Sequence, residues 1–281
     1  TRGIYFAGCA EAPKDVKESV TQASAAAARA SIILNAGKVQ IEAITALVNT
    51  DMCNYCGLCA KVCPYNAITP ADRKLGIYPE VIQAACAGCG TCAAECPTDA
   101  ISMRHFTDFQ LMAQIDSILE KDHMQKIVAF ACNWCSYAGG DLCGTSRLQY
   151  PTNVRLIRTM CSGRVDEKFV IHAFKQGAPL VLVSGCHFAD CHYINAVTWT
   201  QKRVEKLWNK LERLGIRPER LQLEWISAAE GQKFARVMRE LEEMRKNVTP
   251  EDVQETIKIF KAEEAKAKEK KAKKEAALQT A

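Results

Sequence analysis

The sequence predicts an α+β module folded around two groups of cysteines, followed by an α/β doubly wound domain with about four parallel strands and a helical C-terminal tail. Three observations lead there. Eight of the fifteen cysteines form two copies of one spacing within residues 50–103. Between residues 126 and 246 short apolar runs alternate with amphipathic stretches, the mark of parallel strands joined by helices. From Asn247 the chain turns to alanine, lysine and glutamate. At 281 residues there is room for about two domains with cores of their own. The net charge of +5 is modest and sits partly in the tail, so nothing in it predicts nucleic-acid binding. No apolar run reaches the length of a membrane-spanning helix and no secretory leader is recognisable. Fifteen cysteines in such a chain predict a reducing, cytoplasmic setting in which thiolates serve as ligands. Thr1, in place of a methionine, predicts a piece of a longer or processed protein.

Residues 1–49 come first. Ile4-Tyr5-Phe6 predicts a short strand, Ala7-Gly8-Cys9 a tight turn, and the alanine-rich stretch from about Lys17 to Leu34 a helix. The N-terminus of a helix facing such a turn can receive an anion or a flavin, because free N–H groups and the helix dipole favour negative charge there. An ordinary strand-turn-helix reads the same way.

Residues 50–103 hold Cys53, Cys56, Cys59 and Cys63 before Pro64, then Cys86, Cys89, Cys92 and Cys96 before Pro97. The copies are offset by 33 residues, and Cys63-Pro64-Tyr65-Asn66-Ala67-Ile68 parallels Cys96-Pro97-Thr98-Asp99-Ala100-Ile101. C-x-x-C-x-x-C-x-x-x-C-P is the ligand run of a bacterial-type ferredoxin with two [4Fe-4S] clusters, in which the fourth cysteine of each run serves the other cluster. Cys53, Cys56, Cys59 and Cys96 are therefore expected around cluster 1, and Cys86, Cys89, Cys92 and Cys63 around cluster 2. Gly57, Gly88 and Gly90 allow tight folding around the sulfurs. Zinc prefers separated C-x-x-C pairs with four ligands per ion, which this order does not offer.

Residues 104–125 predict a connecting helix with Phe109, Met112, Ile115 and Leu119 on one face. Strands are expected at 127–131, 153–159, 180–184 and 221–226, with helices near 137–148, 166–176, 195–214 and 229–246. Cys132 and Cys135 follow the first strand, Cys161 the second, and Cys186 and Cys191 the third. All five thus lie beyond the carboxyl ends of parallel strands, the edge where open α/β sheets bind ligands. Sulfur ligands select iron-sulfur clusters, zinc or copper(I). Beside an electron-carrying module the expectation is a [2Fe-2S] cluster held by four of these five. His187 and His192 are expected as neighbours of ligands, Cys143 as a buried thiol, and Trp134 and Trp225 as core residues. Two other readings remain on the residues alone: a zinc-stabilised structural adaptor, and a dithiol catalyst using Cys132-Asn133-Trp134-Cys135. The tail, 247–281, opens with Thr249-Pro250-Glu251, a helix start, and is expected to be a solvated helix.

Several segments carry a family resemblance. Ala131-Cys132-Asn133-Trp134-Cys135-Ser136-Tyr137-Ala138-Gly139, Arg147-Leu148-Gln149-Tyr150-Pro151, Met160-Cys161-Ser162-Gly163-Arg164, Gly185-Cys186-His187, Asp190-Cys191-His192-Tyr193 and Leu223-Glu224-Trp225-Ile226-Ser227-Ala228 resemble the delta subunit of the methyl-viologen-reducing hydrogenase. Gly3-Ile4-Tyr5-Phe6-Ala7-Gly8-Cys9 and Pro13-Lys14-Asp15, with the two-cluster segment, resemble the C-terminal third of the heterodisulfide reductase A-subunit. The resemblance implies a fusion of the two, with FAD in the complete protein and Gly8, Cys9, Pro13, Lys14 and Asp15 at the flavin, although the main FAD-binding domain is not in this sequence. The domains expected are thus 1–49, a remnant of the FAD-binding domain; 50–103, the ferredoxin-like module; 104–125, the connecting helix; 126–246, the delta-subunit-like iron-sulfur domain; and 247–281, the tail. It further implies an electron-transfer subunit of an oxidoreductase complex. Its partners would be other heterodisulfide-reductase-like subunits and a hydrogenase or formate dehydrogenase, with electron bifurcation at the flavin. A subunit of the quinone-interacting oxidoreductase complex of sulfate reduction is the neighbouring alternative.

Overall fold

The structure, a computed structural model, describes residues 4–38 and 43–279; residues 1–3, 39–42 and 280–281, Gly3 of the flavin-like segment among them, lie outside it. The chain divides into two compact units, 1–42 and 43–281. In the first, a short 3-10 turn at Gly8–Ala10 precedes α1 (Val16–Ala36). Asp15 caps α1 by accepting the Glu18 N–H at 2.7 Å, and Gly37 closes it at φ 61°, the usual aspartate start and left-handed stop. The strand expected at Ile4–Phe6 is absent. Ile4 and Phe6 stand exposed in irregular backbone, and among the described residues no strand lies beside them to take their hydrogen bonds. An unpartnered apolar run cannot hold itself as a strand.

The second unit opens with the small cysteine module. β1 (Ala46–Val48) pairs antiparallel with β2 (Ile101–Met103), Ala46 opposite Met103, so the module begins before the expected boundary at residue 50. Between these strands stand two short helices, α2 (Leu58–Val62) and α3 (Thr91–Ala94), entered through Gly57 and Gly90 at φ 71° and 80°. The sequence repeat is also a repeat of backbone. Asn66 and Asp99, one repeat apart, both take positive φ, and their N–H groups return to the carbonyls of Cys63 and Cys96.

α4 (Asp108–Leu119) is shorter than the expected 104–125 helix. Thr107 and Gln110 form a reciprocal capping box at its start, while His105 and Asp122, both at positive φ, break the helix on either side. Its buried stripe is Leu111, Ile115 and Leu119. Phe109, expected on that stripe, is 81% exposed. Two residues before Leu111 place it about 200° around the axis, on the water side.

The α/β sheet follows: β3 (Ile127–Cys132), α5 (Ser136–Thr145), β4 (Val154–Thr159), α6 (Glu167–Lys175), β5 (Leu180–Gly185), α7 (Ala196–Arg213), β6 (Leu221–Trp225) and α8 (Gly231–Lys246). The strands are parallel in the order β4-β3-β5-β6. β3 and β5 are buried at every residue, the pattern of central strands covered on both faces. Val128, Phe130, Val181 and Val183 face the core shared with α4, α6 and α7, and Ile127, Ala129, Leu180 and Leu182 face α5 and α8.

α9 (Pro250–Gln279) corrects the expectation of a solvated tail. Val253, Thr256 and Phe260 are buried, and the Phe260 ring stacks on Phe174 of α6 with centroids 6.5 Å apart. Buried Arg220 ties them down, donating to the carbonyls of Ala178, Pro179 and Asp252 and to Thr256 Oγ1. No helix among the described residues is long and apolar enough to cross a membrane.

Candidate metal centres

The eight duplicated cysteines line two cavities. One is walled by Cys53, Cys56, Cys59 and Cys96 among apolar side chains such as Val48 and Ile101. The other is walled by Cys63, Cys86, Cys89 and Cys92 with Tyr65 and Met103. Each takes three cysteines from one copy and the fourth from the other. The exchange follows from the repeat, because the crossing cysteine comes directly after each short helix: Cys63 caps the end of α2, and Cys96 follows Glu95, the cap of α3. All fifteen cysteines are free thiols. Burial pushes the thiols of Cys59 and Cys89 up, and that of Cys92 well up, so ionising four sulfurs there requires compensating positive charge. Among the described residues no group of three or more His, Cys, Asp or Glu closes around a single metal ion. Four soft donors around a space for several atoms fit a [4Fe-4S] cluster, and the Ala100 N–H directed at Cys96 Sγ, 3.2 Å away, is a contact that favours a ligating thiolate.

The second group of cysteines converges at the carboxyl edge of the sheet. Cys132 ends β3, Cys135 immediately precedes α5, Cys161 follows β4, and Cys186 follows β5, with Cys191 one turn on. Chain direction across the sheet reverses between β3 and β5, so Cys132, Cys135 and Cys186 flank the switch point where such sheets open a crevice. Cys186 Sγ lies 2.7 Å from Cys135 Sγ and 3.7 Å from Cys132 Sγ. Cys191 packs beside these three, and also beside Cys161. Hydrogen bonds from Cys135, Cys161 and Cys186 pull the Cys132 thiol down. Sharing a hydrogen with Cys132 pushes Cys135 and Cys161 up. Five sulfurs this close cannot all be thiolates without a cationic group among them.

The surroundings differ from expectation at two tryptophans. Trp134 is 42% exposed, stacks on His192 at 4.1 Å and donates its indole N–H to Tyr193 Oη at 2.8 Å. Trp225 is half-buried against the edge of Phe188. Both lie at the carboxyl ends of strands, at the edge of the sheet rather than between sheet and helices. His187 Nε2 meets Glu230 Oε2 at 2.7 Å, and Glu230 also accepts the Ser227 N–H, which draws the Cys186 loop onto the start of α8. Cys143 is buried and directs its thiol at the Leu148 carbonyl. In the first unit Cys9 is exposed, Lys14 is paired with Glu11, Asp15 is spent on its own helix cap, and the Gly8 N–H bonds Gln22 Oε1 at 2.9 Å.

The two groups of cysteines share a wall. Tyr65 and Cys89 of the second cavity pack against Cys161 and Tyr193. Burial, with the neighbouring thiols, raises Tyr65 to about 12, so it stays a neutral phenol. The loop Cys161–Val165 lies on α3: the stem of Arg164 backs Gly90 and Gly163 backs Thr91. Arg203 clasps this loop through the carbonyls of Gly163 and Val165 and is ion-paired with Glu95. Sequence reasoning named Tyr65, Arg164 and Tyr193 only as parts of motifs, with no role of their own, and did not name Arg203. Tyr65, Arg164 and Tyr193 lie within one to three residues of a candidate ligand, a position that draws attention only once the two runs are known to touch.

Comparison with known proteins agrees with this division. Residues 44–103 match the family model of a 4Fe-4S dicluster domain, and residues 127–248 that of the methyl-viologen-reducing hydrogenase, delta subunit. The A-subunit of the ferredoxin:CoB-CoM heterodisulfide reductase of Methanosarcina mazei is 43% identical over 247 residues, 86% of this chain and 31% of its own length. The chain thus spans about a third of that relative. The vhc iron-sulfur subunit of the F420-non-reducing hydrogenase of Methanococcus voltae is 48% identical over 125 residues, 44% of this chain and 87% of the relative. The corresponding iron-sulfur subunit from Archaeoglobus profundus is 45% identical over 124 residues, 44% of this chain and 90% of its own.

Proposed function

Because the chain belongs, through residues 127–248, to the family of the methyl-viologen-reducing hydrogenase delta subunit, carried behind a 4Fe-4S dicluster domain as in the heterodisulfide reductase A-subunit, we propose that it is an iron-sulfur electron-transfer subunit of a heterodisulfide-reductase-like oxidoreductase complex. It relays electrons between a partner hydrogenase or formate dehydrogenase and a flavin held by the longer protein. The complex works in the reducing cytoplasm, in keeping with fifteen free thiols.

The observation that carries this reading is the wall common to the second cavity and the five-cysteine edge, where Tyr65 and Cys89 meet Cys161 and Tyr193. Residues so placed would stand between groups bound on either side of the wall and would keep that contact packed. Cys53, Cys56, Cys59 and Cys96 hold cluster 1; Cys63, Cys86, Cys89 and Cys92 hold cluster 2; four of Cys132, Cys135, Cys161, Cys186 and Cys191 hold a [2Fe-2S] cluster. Bound there, such clusters supply reversible one-electron storage. The contact of the sheet edge with the second cavity supports a path that enters the module there.

Iron and acid-labile sulfide analysis of anaerobically purified protein tests the proposal, with about ten irons per chain expected for two [4Fe-4S] and one [2Fe-2S]. Two irons or fewer would overturn it, and zinc in their place would favour a structural adaptor. Cys132→Ser with Cys135→Ser is expected to remove the [2Fe-2S] signal while both [4Fe-4S] signals persist in electron paramagnetic resonance.

A further inference from the structure

Arg164 is the largest fully buried side chain among the described residues, 1% exposed, and the electron-transfer reading by itself gives it no task. It follows Cys161 by three residues, yet its side chain runs away from the sheet edge and onto the other metal site. A Cβ placed on Gly90 would come within 2.6 Å of Arg164 Cδ, and Gly90 lies between Cys89 and Cys92 in the wall of the second cavity. The guanidinium is fixed on three sides. Its Nε donates to the Phe106 carbonyl at 3.1 Å, its Nη2 is paired with Asp108, and the Phe169 ring lies 4.8 Å below it. Nη1 is buried with no hydrogen-bond partner among the described residues. A buried arginine with an orphaned nitrogen is costly for stability alone, since an apolar side chain of similar volume fills such a space without leaving a donor unpaired.

The charges around it are unequal. Asp108 is shared with Lys168, which also meets Asp99 and Asp166. Burial pushes the Asp108 carboxyl up, but the hydrogen bonds from Lys168 and Arg164 outweigh it and hold it below the usual carboxylate range. Asp108 therefore stays ionised, but its side chain is 33% exposed and screened by water, whereas the Arg164 side chain is only 1% exposed behind the cavity wall.

We propose that Arg164 is a positioning and electrostatic residue of the second cavity: from the loop that carries Cys161 it holds the Gly90 turn in place and sets the reduction potential of the cluster bound by Cys63, Cys86, Cys89 and Cys92. Reduction adds one electron to that cluster, and a buried cation behind the wall stabilises the added negative charge, raising the potential. Neither cavity has a cation in its wall, but Arg164 stands directly behind the Gly90 turn of the second, whereas nothing lies within 4 Å of a Cβ placed on Gly57, the equivalent glycine of the first, so the two clusters of a duplicated module come to differ in potential. The inference rests on the assignment of that cluster to the second cavity.

The test is a redox titration of the full chain with all clusters present, followed by electron paramagnetic resonance. Arg164→Met is expected to shift one [4Fe-4S] potential downward and leave the other [4Fe-4S] unchanged. Asp108→Asn, which removes the shared counter-charge at a partly exposed position, is expected to shift the same cluster upward, and Arg164→Lys to restore most of the Arg164→Met shift. Shifts of opposite sign are what a charge produces; mere loosening of the turn would move both variants the same way. Unchanged potentials in Asp108→Asn, or equal shifts in both [4Fe-4S] clusters, would overturn the inference. The two failures are distinguishable: if the wild-type chain contained no second [4Fe-4S] signal, the functional assignment itself would fall.

Discussion

Gly57 and Gly90 are the same residue in two copies of one motif, and the folded chain asks different things of them. Both stand in the left-handed region, at φ 71° and 80°, where a side chain costs about 1 kcal/mol or more. Around Gly57 a Cβ meets open space, whereas at Gly90 it strikes the stem of Arg164. Gly57→Ala is expected to cost about 1 kcal/mol. Gly90→Ala adds overpacking against a buried side chain, for about 2–4 kcal/mol in all, with loss of the second [4Fe-4S] signal before the first. Denaturant unfolding of the two variants, read beside iron content, checks this; equal costs would count against the interlock. The grouping of the eight cysteines into two cavities was legible in the sequence because their spacing is duplicated. The difference between the glycines was not, because it depends on a loop more than seventy residues downstream.

At the scale of elements, the alternation of apolar runs and amphipathic helices located every strand of the sheet to within a residue or two, since β3 and β5 are buried throughout and read as unbroken apolar stretches. Failures cluster where an element needs a neighbour. Ile4–Phe6 has strand composition but no partner among the described residues. Phe109 looked apolar enough for the core, but Leu111, Ile115 and Leu119 define the stripe. α9 was read as solvent-facing because its charged second half dominates its composition, while three residues, Val253, Thr256 and Phe260, decide its docking. Phe260→Ala is expected to destabilise the α6–α9 contact by about 3–4 kcal/mol and to expose α9 to limited proteolysis without loss of iron. Ending the chain after Ala265, by contrast, is expected to leave the unfolding midpoint unchanged within measurement, because the side chains described beyond that point are exposed.

In the molecule as a whole, the cysteine module and the α/β sheet form one compact unit. Two ion pairs stitch them together, Lys168 with Asp99 and Arg203 with Glu95, and Arg164 ties the same region to Asp108 of the connecting α4. Family likeness identified both parts from sequence, but their arrangement against each other was hidden, because it rests on long-range pairs between ordinary charged residues with no spacing rule. That arrangement has a consequence for how the protein is made. The second cavity is covered by the Cys161–Val165 loop and by Tyr193, both synthesised after it, whereas the first retains the exposed Cys56. Iron and sulfide are therefore expected to reach the first cavity through Cys56 more readily than the second, where residues added later in synthesis pack against Cys89. Adding iron and sulfide to the folded chain after mild oxidative damage is expected to restore the first [4Fe-4S] signal quickly and the second only once the chain has been partly unfolded. Equal rates of recovery would show that the lid opens on its own.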